Sequence, residues 1–153
     1  MIILLSLLCS AFFSGMEIAF VSSNRLNLEI EKKQKGLIPK LLSIITKDPS
    51  RFISTMLIGN SFALVIYGLF MGQFIVDNLS FLFLPSMNEL TVLLLQTIIS
   101  TLLILIAAEF IPKVLFQIYS NLYMKIFSIP AYIFYIILYP LTSLVTIISN
   151  FIL

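Results

Sequence analysis

Three polar side chains interrupt otherwise apolar stretches of the sequence, and their types limit the chemistry they can perform. Two are carboxylates, Glu17 and Glu109, and the third is the amide of Asn60. Such groups are costly within a membrane span and are therefore candidates for function. Carboxylate and amide oxygens are ligands of hard cations such as Mg²⁺ and Ca²⁺. These residues therefore predict a cation or proton path.

The depths of these groups can be compared by counting from the basic residues that flank each apolar stretch. At a helical rise of 1.5 Å per residue, Glu17 lies roughly 12 Å before the first basic residue, and Asn60 lies roughly 13 Å after the nearest preceding one. Glu109 lies about 6 Å before Lys113, or deeper if Pro112 unwinds the helix end. All three groups are thus predicted to lie in the same half of the bilayer, which is the main functional signal in the sequence.

Small polar residues and glycines surround the same positions. Ser10, Ser14 and Glu17 are spaced at i, i+4 and i+7, which places them along one helix face. Gly15 and Gly59 allow a close approach of backbones, or a local unwinding that offers carbonyl oxygens. Every donor in the set is an oxygen, so the set predicts Mg²⁺ or Ca²⁺ rather than Zn²⁺ or Cu⁺.

Each of these residues also has a purely structural interpretation. A membrane glutamate can be protonated and hydrogen-bonded between helices, and Asn60 can serve helix–helix packing alone. Ser10 and Ser14 can bond back to their own helix. Pro112 and Lys113 can end a span and anchor it at the interface. The agreement in depth favours the cation or proton path.

Composition identifies the solvent as lipid. Of the 153 residues, 60% are hydrophobic and 10% are charged, with a mean hydropathy of +1.12. A soluble domain of this size has about 25% charged residues and cannot bury so much apolar surface. The chain has no histidine and a single cysteine, Cys9, so it has neither imidazole chemistry nor a disulfide framework, and we expect no enzymatic activity. The basic segment has no accompanying nucleic-acid-binding motif.

The apolar pattern predicts an all-α integral membrane domain. Three apolar stretches are long enough to cross a bilayer, at about 20 residues per span. A charged segment with amphipathic character and a Gly36–Pro39 turn separates the first two and predicts a helical hairpin. The predicted elements are span 1 (1–23), the hairpin (24–50), span 2 (51–76), span 3 (90–113) and a last apolar stretch (122–153).

The basic residues set the predicted orientation. Seven of the nine Lys and Arg residues lie between Arg25 and Arg51, so this segment is expected to be cytoplasmic and the N-terminus outside. The segment 77–89 has no basic residue, as an outside loop would. Pro130 and Pro140 interrupt the last stretch, which is compatible with a kinked fourth span or with a bent helix in the interface.

Three short segments carry a resemblance to a known family. They are SGMEIA at 14–19, LIGN at 57–60 and EFIPK at 109–113. In order and spacing, with the basic hairpin and Asp48-Pro49, they resemble the DUF21 transmembrane domain of the CorC/CNNM (cyclin M-like) magnesium transporter family. The similarity covers nearly the whole chain.

The resemblance implies a fold, a partner and a mechanism. The fold is a homodimer with three spans per subunit and a bent juxtamembrane belt helix at 122–153. In the family, cytosolic CBS-pair and CorC-type domains follow, so the belt is expected not to cross, and the chain is expected to be a membrane domain without those domains. The implied function is Mg²⁺ transport by alternating access, as export coupled to Na⁺ entry, in a bacterial inner membrane.

The resemblance also implies a ligand set. The transported Mg²⁺ would meet the Ser14 hydroxyl, the Asn60 amide oxygen, the Glu109 carboxylate and the Leu115 backbone carbonyl. Glu17 matches a family glutamate beside the site. The residues expected to support the site or line the pathway are Ser10, Gly15, Glu17, Gly59, Pro112 and Lys113.

Two departures from the family pattern affect this prediction. Ala108 stands where family members commonly have glycine, and Leu64 stands where many have a second asparagine. The Leu64 departure slightly favours the alternative function, a membrane scaffold or assembly factor related to secretion or gliding that transports nothing. A scaffold would tolerate Glu109→Gln, because glutamine keeps the shape and hydrogen bonding of glutamate.

Overall fold

The computed structural model of the chain describes residues 1–78 and 88–152. Within those residues the regular structure is entirely helical, which confirms the predicted all-α class. Most of the predicted outside loop, 77–89, lies outside the described residues. The elements are α1 (Ile2–Ser22), α2 (Arg25–Lys32), α3 (Leu37–Ile45), α4 (Pro49–Asn78), α5 (Glu89–Ile104), a π-helical segment (Leu105–Phe110), α6 (Ile111–Ile118), α7 (Ser120–Ile126), α8 (Ser128–Ile137) and α9 (Tyr139–Ile152).

Three helical stretches in the described residues are long and apolar enough to span a membrane, as predicted. They are α1, α4 and the continuous stretch from α5 to α6, with mean hydropathies of 2.0, 1.7 and 2.5. The third stretch runs to Ile118, past the predicted end at Lys113. Pro112 does not end it because the proline lies in the first turn of α6, where its missing N–H is not required.

The first two spans pack along their length around a shared apolar core. Met16 and Ala19 of α1 are fully buried, as are Phe52 and Met56 of α4. α4 begins at Pro49, two residues before the predicted start of span 2, and the Asp48 carboxylate caps it by accepting a hydrogen bond from the Arg51 N–H at 3.1 Å. This pairing sets the register between Ser10 of α1 and the middle of α4.

Two short helices, α2 and α3, connect these spans. The Asn24 side chain caps α2 by accepting the Leu26 N–H at 2.9 Å, and Gly36, with φ of 144°, forms the turn before α3. Lys125 Nζ lies 2.9 Å from Glu31 Oε1 and so ties α2 to α7. The connecting segment is therefore fixed to the same end of the bundle as α7.

The last apolar stretch is sharply bent. The axes of α8 and of Tyr139–Val145 in α9 differ by 66°, and only together are they long and apolar enough to form a broken span. Each helix carries its proline in the first turn, where proline is tolerated. The Arg51 guanidinium lies 4.7 Å from the Tyr139 ring centre and holds this bend against the start of α4.

Candidate cation site

A hydrogen bond joins the first two spans at the predicted site. Ser10 Oγ of α1 donates to Asn60 Oδ1 of α4 at 2.6 Å, and Ser10 is only 2% exposed. The sequence compared the depth of Asn60 with that of Glu17, whereas the α1 residue that contacts Asn60 in the structure is Ser10, seven residues earlier. A carbonyl oxygen has two lone pairs, so Asn60 Oδ1 retains one acceptor position.

The Ser14 hydroxyl lies one helical turn from Ser10 and has no partner in the part of the chain that the structure describes. Ser14 is 1% exposed, and its Oγ has no hydrogen bond within residues 1–78 and 88–152. Ser6 of α1, by contrast, bonds back to its own helix, at 2.8 Å to the Ile3 carbonyl. A buried hydroxyl without a protein partner is normally satisfied by an ion, a ligand or an ordered water.

Glu109 lies in the π-helical segment of the third span. The Ile111 N–H bonds to the Ile106 carbonyl, five residues earlier, and this wider turn rotates Glu109 relative to a regular α-helix. Single π-helical turns are frequent at functional sites. Pro112 lies two residues after the segment, in the first turn of α6, and is buried.

Lys113 pairs with the Glu109 carboxylate. Lys113 Nζ lies 2.5 Å from Glu109 Oε1, and both side chains are about one-third exposed, at 35% and 39%. The i, i+4 spacing is the spacing of helical ion pairs and was visible in the sequence, although sequence analysis assigned Lys113 only an anchoring or supporting role. The Lys113 ammonium is thus hydrogen-bonded to the carboxylate that is predicted to bind the cation.

Glu17 completes a charged group between α1 and the third span. Its carboxylate interacts electrostatically with the Lys113 ammonium and with the Glu109 carboxylate. It has no hydrogen bond among the residues that the structure describes, although it is partly buried. Lys113 is thus ion-paired with Glu109, and Glu17 lies near this pair without an ion pair to Lys113 among the described residues.

Two glycines allow the helices to approach around the site. A Cβ atom on Gly15 would lie 2.7 Å from the Phe116 ring, and one on Gly59 would clash with the Phe13 ring. Phe116 is itself stacked on Tyr123, with ring centres 4.3 Å apart. This packing fixes α6, and with it Lys113, against α1.

The remaining predicted ligand is the Leu115 carbonyl. It lies within α6 and accepts the Tyr119 N–H at 3.2 Å, so one of its two lone pairs is already used. In the described part of the chain, no three His, Cys, Asp or Glu side chains gather into a metal cluster. The predicted set differs from such a cluster, because it combines one carboxylate with neutral oxygens.

Comparison with known proteins agrees with this architecture. Residues 1–153 match CNNM, the cyclin M transmembrane N-terminal domain. The UPF0053 protein MG146 homolog of Mycoplasma pneumoniae (strain ATCC 29342 / M129) is 30% identical over 145 residues, which cover 91% of this chain and 32% of that protein. The chain therefore spans about a third of the length of this relative. The match confirms the resemblance seen in the sequence. This chain is a membrane-protein domain that belongs to the cyclin M transmembrane N-terminal domain family.

Proposed function

We propose that this domain binds a divalent cation, with a preference for Mg²⁺, and carries it across the membrane. The observation that carries the proposal is the buried Ser14 hydroxyl, which has no protein partner in the described residues and lies one turn from the Ser10–Asn60 bond. Membership of a family generally associated with divalent-cation transport supports it. The predicted placement of Glu17, Asn60 and Glu109 in the same half of the bilayer supports a path through it.

The proposed ligands suit Mg²⁺ in type and charge. They are the Ser14 hydroxyl, the Asn60 amide oxygen, one Glu109 carboxylate oxygen and the Leu115 carbonyl. Mg²⁺ prefers oxygen ligands in octahedral geometry and commonly keeps several waters beside one or two carboxylates. A single carboxylate with neutral oxygens binds the ion less tightly than a cluster of carboxylates would, so the ion can be released.

Binding requires the Lys113 ammonium to leave Glu109. An ammonium and a dication on one carboxylate repel each other, and the repulsion is strong where the local dielectric is low. Glu17 offers Lys113 a second carboxylate nearby that has no hydrogen bond among the described residues. We therefore propose an exchange in which Mg²⁺ takes Glu109 while Lys113 moves to Glu17.

The wider mechanism extends this proposal through the family resemblance. The domain acts as a homodimer in a bacterial inner membrane, with the N-terminus outside and the basic segment 25–51 in the cytoplasm. It moves Mg²⁺ by alternating access, as export coupled to Na⁺ entry. The placement of seven of the nine basic residues in one segment supports this orientation.

Transport can be tested with the purified domain in liposomes that contain a fluorescent Mg²⁺ indicator. An imposed Mg²⁺ gradient should produce a flux that Glu109→Gln reduces to the level of protein-free liposomes. Glu89→Gln is the matched control, because it makes the same change at the other end of the same span. A folded Glu109→Gln variant that transports at the wild-type rate would overturn the proposal and favour the scaffold function.

A further inference from the structure

A cavity of about 460 Å³ opens where the first two spans end, away from the candidate cation site. Its walls come from the end of α1, one face of α2, the end of α3 and the start of α4. Ligand sites typically have volumes of about 300–1,000 Å³, so the space is large enough for a lipid headgroup with the first part of its chains. The proposed transport function assigns no role to it.

One wall of the cavity is charged. Arg25, Glu29 and Lys32 lie along a single face of α2 at i, i+4 and i+7. Lys32 Nζ lies 2.6 Å from Glu29 Oε1, and this hydrogen bond lowers the pKa of the Glu29 carboxyl below its ordinary value. Glu29 is therefore ionised at neutral pH and neutralises Lys32.

The Arg25 guanidinium has no such partner. Within the described residues it makes no ion pair or hydrogen bond, so the charged wall carries a net charge of +1. A guanidinium presents several N–H donors in a plane that matches the oxygens of a phosphate. The wall is thus complementary to a phosphate group in both charge and geometry.

The opposite wall is apolar and belongs to the spans. Phe20 and Val21 come from the last turns of α1, and Ile53 comes from the second turn of α4. Because α1 ends at Ser22 and α4 begins at Pro49, the cavity lies at the level where membrane meets water. Its apolar side therefore borders the hydrocarbon region, and its charged side borders the headgroup region.

We propose that this cavity binds the headgroup of an anionic phospholipid, with the phosphate on Arg25 and the acyl chains along Val21 and Ile53. The combination of a cation on one wall and an apolar opposite wall suits a lipid better than a soluble phosphate, which would use only the charged wall. Basic residues next to a span attract anionic lipids by about 1 kcal/mol each, which corresponds to about a fivefold change in affinity.

The test is native mass spectrometry of the detergent-purified 153-residue domain titrated with phosphatidylglycerol, phosphatidylcholine or glycerol 3-phosphate. We expect phosphatidylglycerol to bind in preference to the other two. Arg25→Gln should weaken its binding about fivefold, and Glu29→Gln should strengthen it by a similar factor because Lys32 is released.

Lys35→Gln is the matched control. It removes the same charge from the turn that follows α2, and Lys35 does not line the cavity. Equal weakening by Lys35→Gln and Arg25→Gln would show that general surface charge attracts the lipid, and would overturn the proposal. Equal affinity for phosphatidylcholine, or equally tight binding of glycerol 3-phosphate, would also overturn it. None of these outcomes depends on whether the domain transports a cation.

Discussion

Lys113 Nζ lies 2.5 Å from Glu109 Oε1, one turn along the third span. The carboxylate that is proposed to bind the cation is thus already engaged by a basic group of its own helix. Glu17 lies close enough to interact with both charges from the neighbouring α1. A cation that binds Glu109 therefore has to compete with Lys113. This competition predicts how substitutions of Lys113 and Glu17 change the affinity for the cation.

Lys113→Met should increase the affinity for Mg²⁺ by about fivefold, because a partly exposed ion pair that opposes binding by about 1 kcal/mol is removed. Calorimetric titration of the purified domain measures the change. Lys125→Met is the control, since Lys125 lies away from the spans and pairs with Glu31. The distance from its Nζ to Glu31 Oε1 is 2.9 Å. Unchanged or weaker Mg²⁺ binding in Lys113→Met would contradict the competition.

Glu17→Gln should weaken Mg²⁺ binding, because the Lys113 ammonium then has no second carboxylate to pair with when the cation binds Glu109. The loss should be about fivefold in the wild-type background. It should largely disappear in the Lys113→Met background, because the effect of Glu17 depends on Lys113. Equal losses in both backgrounds, measured by the same titration, would mean that Glu17 acts on the cation directly.

Ser14→Ala should weaken Mg²⁺ binding without lowering the stability of the fold. Its hydroxyl makes no hydrogen bond within the described residues, so its removal leaves no protein group unpaired. Ser10→Ala is the contrasting variant, since it deprives Asn60 Oδ1 of a 2.6 Å bond and should destabilise the domain by about 1 kcal/mol. Thermal unfolding in detergent separates the two, and a Ser14→Ala variant less stable than Ser10→Ala would contradict this account.

Gly59→Ala should destabilise the contact between α1 and α4 by about 1–3 kcal/mol, because its Cβ would overlap the Phe13 ring. Gly68→Ala is the matched control in the same helix, since nothing lies within 4 Å of its added Cβ. The control should keep or raise the melting temperature, because alanine favours helix more than glycine does. Equal melting temperatures for the two variants would show that α1 and α4 are not closely packed at Gly59.

Much of the fold could be predicted from the sequence because the membrane imposes simple rules on length and charge. Apolar stretches of sufficient length located the three spans. The end of the third span was less predictable. Pro112 and Lys113 resemble a terminus, but the π-helical segment before them lets the helix continue to Ile118.

The candidate site was only partly visible in the sequence. Residue counting placed Glu17, Asn60 and Glu109 in the same half of the bilayer, but it did not pair Ser10 with Asn60, because side-chain pairing depends on helix rotation and packing. The Ser10–Asn60 hydrogen bond requires the close approach that Gly59 permits, and the π-helical turn sets the direction of Glu109. These are tertiary effects, and no local pattern in the sequence specifies them.

The most direct test of the central claim is calorimetric titration of the detergent-purified domain with Mg²⁺, alongside Glu109→Gln and Asn60→Ala. Ca²⁺ and Mn²⁺ titrations establish which ion is preferred, and size-exclusion chromatography with light scattering establishes the oligomeric state of each variant. The account predicts saturable Mg²⁺ binding by the wild-type domain that both variants lose while they remain folded and dimeric. Wild-type affinity in both variants, or no Mg²⁺ binding by a folded wild-type dimer, would contradict it.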